Sequence, residues 1–506
     1  MRKALAAIFV LVCGAASLTP GPLAAAVDQV NTAKLRQAVT VTGILQHERQ
    51  LQAIANRNGG TRASGTPGYA ASATYVAGRL RAAGYQVSTQ EFTFPFFREL
   101  APSELTQTSP TQASYETKAL TYSGSGSVTG RLVPTNDVVI PPSAAPSSSS
   151  GCEAADYPAA PTAPAVALVQ RGTCTFAAKV QLAVAAGYDS VVIFNEGQPG
   201  RDELLTGTLG APVSVPVVGA SFADGAALYA AAVAGPVEVR VVTSTENIAD
   251  AKTTNVIADS PKGERDETIV VGAHLDSVTE GPGINDDGSG VATILEIAEQ
   301  LSALGYTDSL RRPVRFAFWG AEENGLLGST HYVNNLTESQ LDGIYANLNF
   351  DMLGSPNYVR LVYDGDGSAT PAAGPVGSGE IERIFTDYFT SAGLASRPTA
   401  FDGRSDYGPF IAVGVPAGGL FSGAEGIKTA AEATAFGGTS GKAYDPCYHK
   451  ACDTVANLSS QALYELGDAA AHSVLTLATS TSGLYPDATS QARRSAGTAT
   501  SPVAVR

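Results

Sequence analysis

The sequence predicts a mixed α/β fold with a largely parallel central sheet flanked by helices, preceded by a smaller mixed α/β unit. Three apolar runs of strand length in the C-terminal half alternate with segments of helical periodicity. Such alternation is typical of parallel sheets with right-handed crossovers. Ligands of open sheets bind beyond the carboxyl ends of the strands, so the candidate site is expected where these runs end.

Length and charge exclude some broad classes of function. The chain has 506 residues, enough for two or three domains, and 44% of them are hydrophobic. Lys and Arg number 32 against 47 Asp and Glu, which gives a formal net charge of −15. This acidic excess argues against a nucleic-acid-binding protein and against binding to an anionic membrane surface.

The N-terminus resembles a secretory signal peptide over residues 1–26. Arg2 and Lys3 precede the apolar stretch "ALAAIFVLVCGAA", and "LAAA" at 23–26 provides a small-residue cleavage site near Ala26. The apolar stretch is shorter than the ~20 residues that a membrane span needs. A lipoprotein signal at Cys13 is disfavoured because bulky Val12 precedes it. The protein is therefore expected to be secreted.

Four cysteines remain after cleavage of this segment, and an even number in an exported chain indicates two disulfides. The spacing contains no C-x-x-C pair, which disfavours a structural zinc site. Proximity along the chain favours two pairings, although the sequence alone does not prove them: Cys152 with Cys174, and Cys447 with Cys452.

The N-terminal half begins with helices. "ASGTPGYAASATYVAGRLRAAGY" has helical spacing and ends at Gly84, and "QVSTQEFTF" then alternates like a strand. From about residue 100 to 160 the chain is rich in Ser, Thr, Pro and Gly, which predicts a solvated loop.

The smaller α/β unit follows and ends near residue 245. "APAVALVQ" and "SVVIF" read as strands on either side of the helical "FAAKVQLAVAAGY", and "VPVVGAS" and "VEVRVVTS" complete the unit. A linker-like segment is expected next. The last residues, 484–506, offer little to bury and are expected to be a disordered or removable tail.

The three strands of the C-terminal half end in acidic residues or histidine. "TIVVGAH" leads to His274 and Asp276, "PVRFAFWG" to Glu322 and Glu323, and "IYANLNFDML" contains Asp351. A lone carboxylate at such a position often caps a helix, and an adjacent glutamate pair is often a solvated surface feature. Together at one sheet edge, however, these carboxylates would repel one another strongly.

One or two bound divalent cations would remove this repulsion. Imidazole and carboxylate ligands suit Zn²⁺, Mn²⁺ or Co²⁺ better than Ca²⁺, and zinc is the natural expectation in an exported protein. Two metals about 3.5–4 Å apart need a bridging carboxylate. Asp286 and Asp287 lie in the loop after the first strand, where either could instead cap the next helix.

A second histidine ligand must come from elsewhere in the chain. His449 is favoured because it lies in "DPCYHKACD", where a disulfide would fix its direction. His331 and His472 lie in helical segments and are expected to be structural. His47 precedes a glutamate, but no histidine follows at position 51, so H-E-x-x-H is absent.

Residue types then predict the chemistry. Neighbouring residues cannot easily both bind one metal, so one of Glu322 and Glu323 is expected to be a ligand and the other a general base. A phenol such as that of Tyr448 can donate to the oxyanion of a tetrahedral intermediate.

Several motifs resemble the secreted two-zinc aminopeptidases of the Streptomyces type. They are "AHLDSV…GPGINDDGSG", "FAFWGAEENGLLGS", "LNFDMLGSPN", "GRSDYGPF", "GGLFSGA" and "CYHKACDT", and the resemblance spans about 45–98 and 247–480. "ALVQRGTCTFAAKVQLAVAAGYDSVVIFNE" is similar to the protease-associated (PA) domain. The resemblance implies a zinc-peptidase/phosphorylase-like catalytic domain in two parts, 27–98 and 246–483, with the PA domain inserted at 99–245.

The resemblance also assigns metal ligands. His274 and His449 would each bind one of two zinc ions, and Asp286 would bridge them. Glu323 and Asp351 would complete the ligand set.

Further roles follow from the same resemblance. Glu322 would be the general base, Tyr448 would assist the oxyanion, and Asp276 would orient the first metal-binding histidine. Arg404 would lie near the substrate, and Asp287 would cap a helix.

The implied function is removal of single residues from peptides with a free N-terminus, with a preference for bulky apolar residues such as Leu. A metallo-carboxypeptidase or deacylase on the same scaffold is the alternative enzyme, and a binding module on an inactive scaffold is the alternative outside enzymes. The protein is expected to be a monomer whose PA domain acts as a lid or docking surface. The compact relatives lack this insertion and bind Ca²⁺ through their extreme N-terminus; their Ca²⁺ ligands have no match here, so Ca²⁺ stays open.

Overall fold

The computed structural model describes residues 29–160, 164–262 and 267–485. The predicted signal peptide lies outside the described residues, as does the predicted tail from residue 486 onward. Within these ranges, no helix combines the length and the apolar composition required to cross a bilayer.

Fourteen strands form one continuous mixed sheet. In chain order the strands are β1 Gln86–Ser109, β2 Ala113–Tyr115, β3 Lys118–Ala119, β4 Gly126–Pro134, β5 Ala165–Gln170, β6 Ser190–Phe194, β7 Val217–Ala220, β8 Glu238–Asp259, β9 Thr268–His274, β10 Val314–Trp319, β11 Ile344–Phe350, β12 Leu361–Tyr363, β13 Arg397–Thr399 and β14 Ala417–Phe421. The sheet order is β13-β12-β14-β11-β9-β10-β8-β4-β5-β6-β7-β3, and β1 pairs with β8 and β2.

Twelve α-helices accompany this sheet in the described part of the chain. They are α1 Ala33–Ala38, α2 Val41–Arg57, α3 Pro67–Ala82, α4 Phe176–Ala185, α5 Phe222–Ala234, α6 Ser289–Ala303, α7 Leu327–Asn334, α8 Glu338–Asp342, α9 Ser378–Ser391, α10 Tyr407–Ala412, α11 Ala430–Phe436 and α12 Ser460–Thr479.

The C-terminal part of the sheet contains a parallel block of β9, β10, β11 and β14. Every residue of β9 and β11 is buried, as expected for parallel strands covered by helices on both faces. Helices α2, α3, α6, α9 and α12 pack on one face, and the largest apolar core lies there. On the other face, Trp319 packs against Tyr332 of α7 and Phe410 of α10.

The smaller unit is a second parallel block of β4, β5, β6 and β7, covered on both faces. Val180 of α4 belongs to one apolar cluster and Leu228 of α5 to the other. A disulfide joins Cys152 to Cys174, which agrees with the predicted pairing. The predicted mixed, largely parallel fold is confirmed.

Two long strands, β1 and β8, join the blocks, and they correct two predictions. The loop expected from about residue 100 is wrong for 100–109 and 126–134, which are strands, and the linker expected after residue 245 is also strand. β1 and β8 pair antiparallel along most of their length, so their polar Thr, Ser and Asn residues gain ladder hydrogen bonds that composition does not reveal. The proposed boundaries near residues 98 and 245 fall inside these strands and stay predictions.

Candidate metal centre and active site

The candidate site residues gather at the carboxyl ends of β9, β10 and β11. His274 is the last residue of β9, and Asp276 follows in the loop. Glu322 stands just beyond β10, and Asp351 directly follows β11. Because neighbouring parallel strands end at the same sheet edge, the fold brings together residues that are distant in sequence.

His274 is held between carboxylates on both sides of its ring. Its Nε2 lies 3.1 Å from Oδ1 of Asp286 and 3.7 Å from Oδ1 of Asp351. Its Nδ1 lies 3.1 Å from the backbone oxygen of Asp276 and 3.7 Å from the carboxylate of the same residue. Asp276 therefore contacts the ring nitrogen opposite the cluster, which supports its expected orienting role.

His449 approaches the same cluster from the other side. Its Nε2 lies 3.1 Å from Oδ2 of Asp286 and 3.0 Å from Oε2 of Glu323. A disulfide between Cys447 and Cys452 closes the loop around it, as predicted. His449 adopts a positive φ of 55°, a conformation that few non-glycine residues adopt, so the small loop constrains its direction.

Asp286 divides the cluster into two matching halves. One carboxylate oxygen lies 3.1 Å from Nε2 of His274, which also approaches Asp351, and the other lies 3.1 Å from Nε2 of His449, which also approaches Glu323. Each half offers one imidazole and two carboxylates, a donor set that suits zinc. A bridging carboxylate between two such halves is the arrangement that two metal ions require.

Unpartnered buried oxygens test whether cations fit here. Among the described residues, Oε1 of Glu323 and Oδ2 of Asp276 are buried without a hydrogen-bond partner. Ligand atoms of His274, Asp286 and Glu323 lie within 4.8 Å of one another. Buried carboxylates without partners are costly, and a bound cation would compensate them, so the residues present fit the predicted metal centre.

Proton affinities in the cluster reflect the same crowding. Burial, together with the charge on Asp286, raises the pKa of Glu323 to about 7. Burial opposes ionisation of Asp286, yet hydrogen bonds from the two imidazoles hold its pKa below the usual range. Burial opposes protonation of His449, but its hydrogen bonds to Asp286 and Glu323 raise its pKa to about 10. Positive charge is therefore favoured between the carboxylates.

The carboxylate of Asp287 accepts hydrogen bonds from three backbone N–H groups. Its Oδ1 accepts hydrogen bonds from the N–H groups of Gly290, in the first turn of α6, and of Met352, both at 2.9 Å. Its Oδ2 accepts from the N–H of His274 at 3.1 Å. The side chain thus joins the start of α6 to the ends of β9 and β11, which is more than the expected helix cap.

Sequence reasoning missed three residues that support the ligands. Ser405 Oγ donates to Oδ2 of Asp351 at 2.5 Å. Asp453 accepts from the backbone N–H of Asp286 at 3.0 Å. Arg62 donates to carbonyl oxygens of the loop between β9 and Asp286, including that of Pro282 at 2.8 Å. Ser405 and Asp453 lie in "GRSDYG" and "CYHKACDT", but only tertiary contacts reveal their partners.

Tyr448 and Arg404 line the mouth of the site together with apolar residues. Nη2 of Arg404 donates to the Tyr448 hydroxyl at 3.2 Å, and Nη1 pairs with Glu425 at 2.9 Å. Burial and the charges of Asp286 and Glu323 raise the pKa of Tyr448, so its hydroxyl stays protonated. The apolar wall of the pocket contains Met352, Tyr363, Phe421 and Ala424.

The other three histidines contact residues outside this cluster, as expected for His331 and His472. His331 stacks on Phe92, with 4.9 Å between ring centroids. His472 bonds through Nδ1 to Thr32 at 2.8 Å. His47 bonds to the Tyr75 hydroxyl at 2.7 Å.

Comparison with known proteins identifies the family. Residues 255–474 match peptidase family M28, and residues 128–228 match the PA domain. An aminopeptidase of Pseudomonas aeruginosa is 44% identical over 444 residues, which cover 86% of this chain and 81% of that protein. The chain belongs to peptidase family M28.

Other M28 relatives and structures agree. A probable lipoprotein aminopeptidase, LpqL, of Mycobacterium tuberculosis is 43% identical over 87% of this chain and 85% of its own length. The structure of an aminopeptidase from Aneurinibacillus sp. strain AM-1 has a TM-score of 0.66 at 25% identity, covering 90% of this chain and 98% of that one. BSAP, described as a zinc aminopeptidase from Bacillus subtilis, has a TM-score of 0.59 at 25% identity, covering 86% and 94%. The predicted family, PA domain and enzyme class, a metallo-aminopeptidase, are confirmed.

Proposed function

We propose that this M28 peptidase is a secreted monomer that uses two zinc ions per chain to hydrolyse the N-terminal peptide bond of peptides. The predicted signal peptide and the two disulfides support secretion, because disulfides persist in oxidising compartments. Zinc is supported by the donor set and by the B. subtilis structure described as a zinc aminopeptidase.

The observation that carries the two-metal proposal is the position of Asp286 between two imidazoles. His274 and Asp351 would hold one ion, and His449 and Glu323 the other, with Asp286 shared. When bound, zinc lowers the pKa of water and polarises a substrate carbonyl.

Glu322 is the proposed general base. It follows β10 beside the ligand Glu323, and Oε2 of Glu322 lies 3.9 Å from Nε2 of His274. Burial raises the pKa of Glu322 well above its usual range, and the neighbouring Asp406 and Glu323 add to that rise. A carboxylate with such a raised pKa can take a proton from water and return it to the departing amine.

Tyr448 is the proposed donor to the oxyanion of the tetrahedral intermediate. Its hydroxyl oxygen already accepts a hydrogen bond from Arg404, so its own proton is available to a substrate oxygen. Arg404 would position Tyr448 and border the substrate.

The pocket walls support a preference for a bulky apolar first residue such as Leu. Phe421, Met352 and Tyr363 offer apolar surface beside the metal ligands. Glu322, which lines the pocket and is not a proposed metal ligand, would favour the positively charged free amine of a peptide. A carboxypeptidase would instead need a free cation for the terminal carboxylate, whereas Arg404 is already paired with Glu425.

Hydrolysis of leucine p-nitroanilide, compared with its N-acetylated form, tests this function. We expect cleavage of the free amine alone, loss of that activity with a chelator, and recovery on adding zinc. Failure of the fully metallated protein to cleave either compound would overturn the aminopeptidase assignment. A preference for C-terminal residues would favour the carboxypeptidase.

A further inference from the structure

A second cleft begins at the metal centre and runs toward the inserted unit. Its lining includes the metal ligand Glu323, which also borders the pocket assigned to the first substrate residue. Residues of the C-terminal half of the chain line one part of the cleft, including Val278, Glu280 and Asn324. Residues between positions 96 and 207 line the other part.

The geometry of the reaction requires such a cleft. The scissile carbonyl must lie at the metal centre, with the first residue of the peptide on one side of it. The rest of the peptide must then leave on another side. Glu323 borders both the pocket and the cleft, so the cleft lies next to the point where the bond would be cut.

We propose that this cleft binds the downstream part of the peptide substrate, after the scissile bond, and that Lys118 and Glu280 select its charge. This inference rests on the proposed aminopeptidase function and names the substrate determinants of the same site. The inserted unit is then part of the substrate-binding surface.

Part of the cleft lining is apolar. Phe97, Val278 and Ala119 contribute to it. Phe97 packs edge-on against Tyr122, with 6.1 Å between centroids, and the Tyr122 hydroxyl donates to the backbone of Pro95 at 3.0 Å. These contacts give this part of the lining a defined shape that fits an apolar residue directly after the scissile bond.

One ion pair joins lining residues from the two parts of the chain. Nζ of Lys118 lies 3.0 Å from Oε1 of Glu280, and the two side chains are 42% and 47% exposed. An exposed pair of this kind contributes little to stability, so each partner can exchange its bond for one to a charged peptide group. Glu99 lines the same cleft, but its Oε1 already accepts from Ser103 Oγ at 2.6 Å and from the Ala119 N–H at 3.2 Å.

Charge reversal at Lys118 tests the proposal. The substrates are Leu-Phe-Glu-Gly, Leu-Phe-Lys-Gly and leucine p-nitroanilide, and the measurement is kcat/KM from released leucine or nitroaniline. The ratio compared is kcat/KM for the Glu peptide divided by kcat/KM for the Lys peptide. We expect Lys118→Glu to lower this ratio about three- to tenfold, in favour of the Lys peptide. Glu280→Lys should shift the ratio the opposite way.

Lys252→Glu is the matched control, because Lys252 forms an exposed pair with Glu91 at 2.6 Å on the strands β8 and β1, away from the cleft lining. We expect its peptide ratio to equal that of the wild type. Unchanged ratios in both cleft variants, with normal hydrolysis of leucine p-nitroanilide, would overturn the cleft proposal alone. Loss of every cleavage in the wild type would instead overturn the aminopeptidase assignment.

Discussion

Nη2 of Arg404 donates a hydrogen bond to the hydroxyl of Tyr448 across 3.2 Å, although the two residues lie in different loops of the site. The Tyr448 ring also stacks on His449, with 3.9 Å between centroids. Both contacts fix the direction of the phenol. Tyr448 is therefore placed by its neighbours before any substrate arrives, which is the property that an oxyanion donor needs.

Replacing Tyr448 by Phe is expected to lower kcat about a hundredfold to a thousandfold, because one preorganised donor to the oxyanion is lost. Zinc content should stay unchanged, since Tyr448 is not a ligand. Kinetics with leucine p-nitroanilide and elemental analysis check both expectations. A variant with wild-type kcat would remove Tyr448 from the mechanism.

Replacing Glu322 by Gln should lower kcat at least about a hundredfold while both metals remain bound, because an amide cannot accept the proton of the attacking water. Glu338→Gln, at an exposed position of α8, is the control and should behave like the wild type. Steady-state kinetics and zinc content are measured together. Loss of zinc in the Glu322 variant would indicate a ligand instead of a base.

Replacing Asp286 by Asn is expected to reduce zinc binding at both positions, because each carboxylate oxygen of Asp286 faces a different histidine. Glu323→Gln and Asp351→Asn should each weaken mainly one position. Zinc per chain after dialysis distinguishes the three variants. Two tightly bound ions in the Asp286 variant would contradict the bridging role.

The two disulfides should differ in what their loss affects. Replacing Cys447 and Cys452 by Ala opens the loop that carries Tyr448 and His449, so we expect lower kcat and weaker zinc binding, with about 2 kcal/mol less stability. Replacing Cys152 and Cys174, in the inserted unit, should cost about 3 kcal/mol of stability and leave kcat for leucine p-nitroanilide near that of the wild type. Equal effects on kcat would contradict this distinction.

His472 should make stability depend on pH. Burial, and then the charge of Arg36, lower the pKa of His472 to about 4, so the folded protein favours the neutral ring. The unfolded chain binds this proton below about pH 6.5, whereas the folded protein binds it only near pH 4. The stability that the neutral ring contributes to the folded protein is therefore fully present above about pH 6.5 and is lost as the pH falls toward 4. Between these limits the wild type should lose about 1–2 kcal/mol more unfolding free energy than His472→Gln, as measured by urea unfolding. The same pH dependence of the unfolding free energy in the two proteins would contradict this expectation.

The sequence predicted the catalytic strands well because their apolar runs are unbroken and their ends carry chemically distinctive residues. β9 and β11 are buried throughout, so hydrophobicity alone locates them. The approach of His274 to Asp286 and Asp351 follows once these strands are parallel neighbours. The approach of His449 required the resemblance to a known family and the expected disulfide.

The long strands were missed for a physical reason. β1 and β8 are 24 and 22 residues long and rich in polar residues, and each is stabilised by pairing with the other across more than a hundred residues of chain. Local composition carries little signal of such long-range pairing. The same limit applies to Arg62, Ser405 and Asp453, whose partners are known only when the chain is folded.

The antiparallel pairing of β1 and β8 provides a position at which a domain can be inserted into the chain. Phe94 lies opposite Ala251 in the ladder, so a domain inserted between β1 and β8 would leave the catalytic domain and return to it at adjacent points. A short turn between these two positions would close an ordinary hairpin and leave β8 beside β10 undisturbed. From this geometry we expect a segment between these two positions to be gained or lost without rearrangement of the strands that carry the candidate metal ligands.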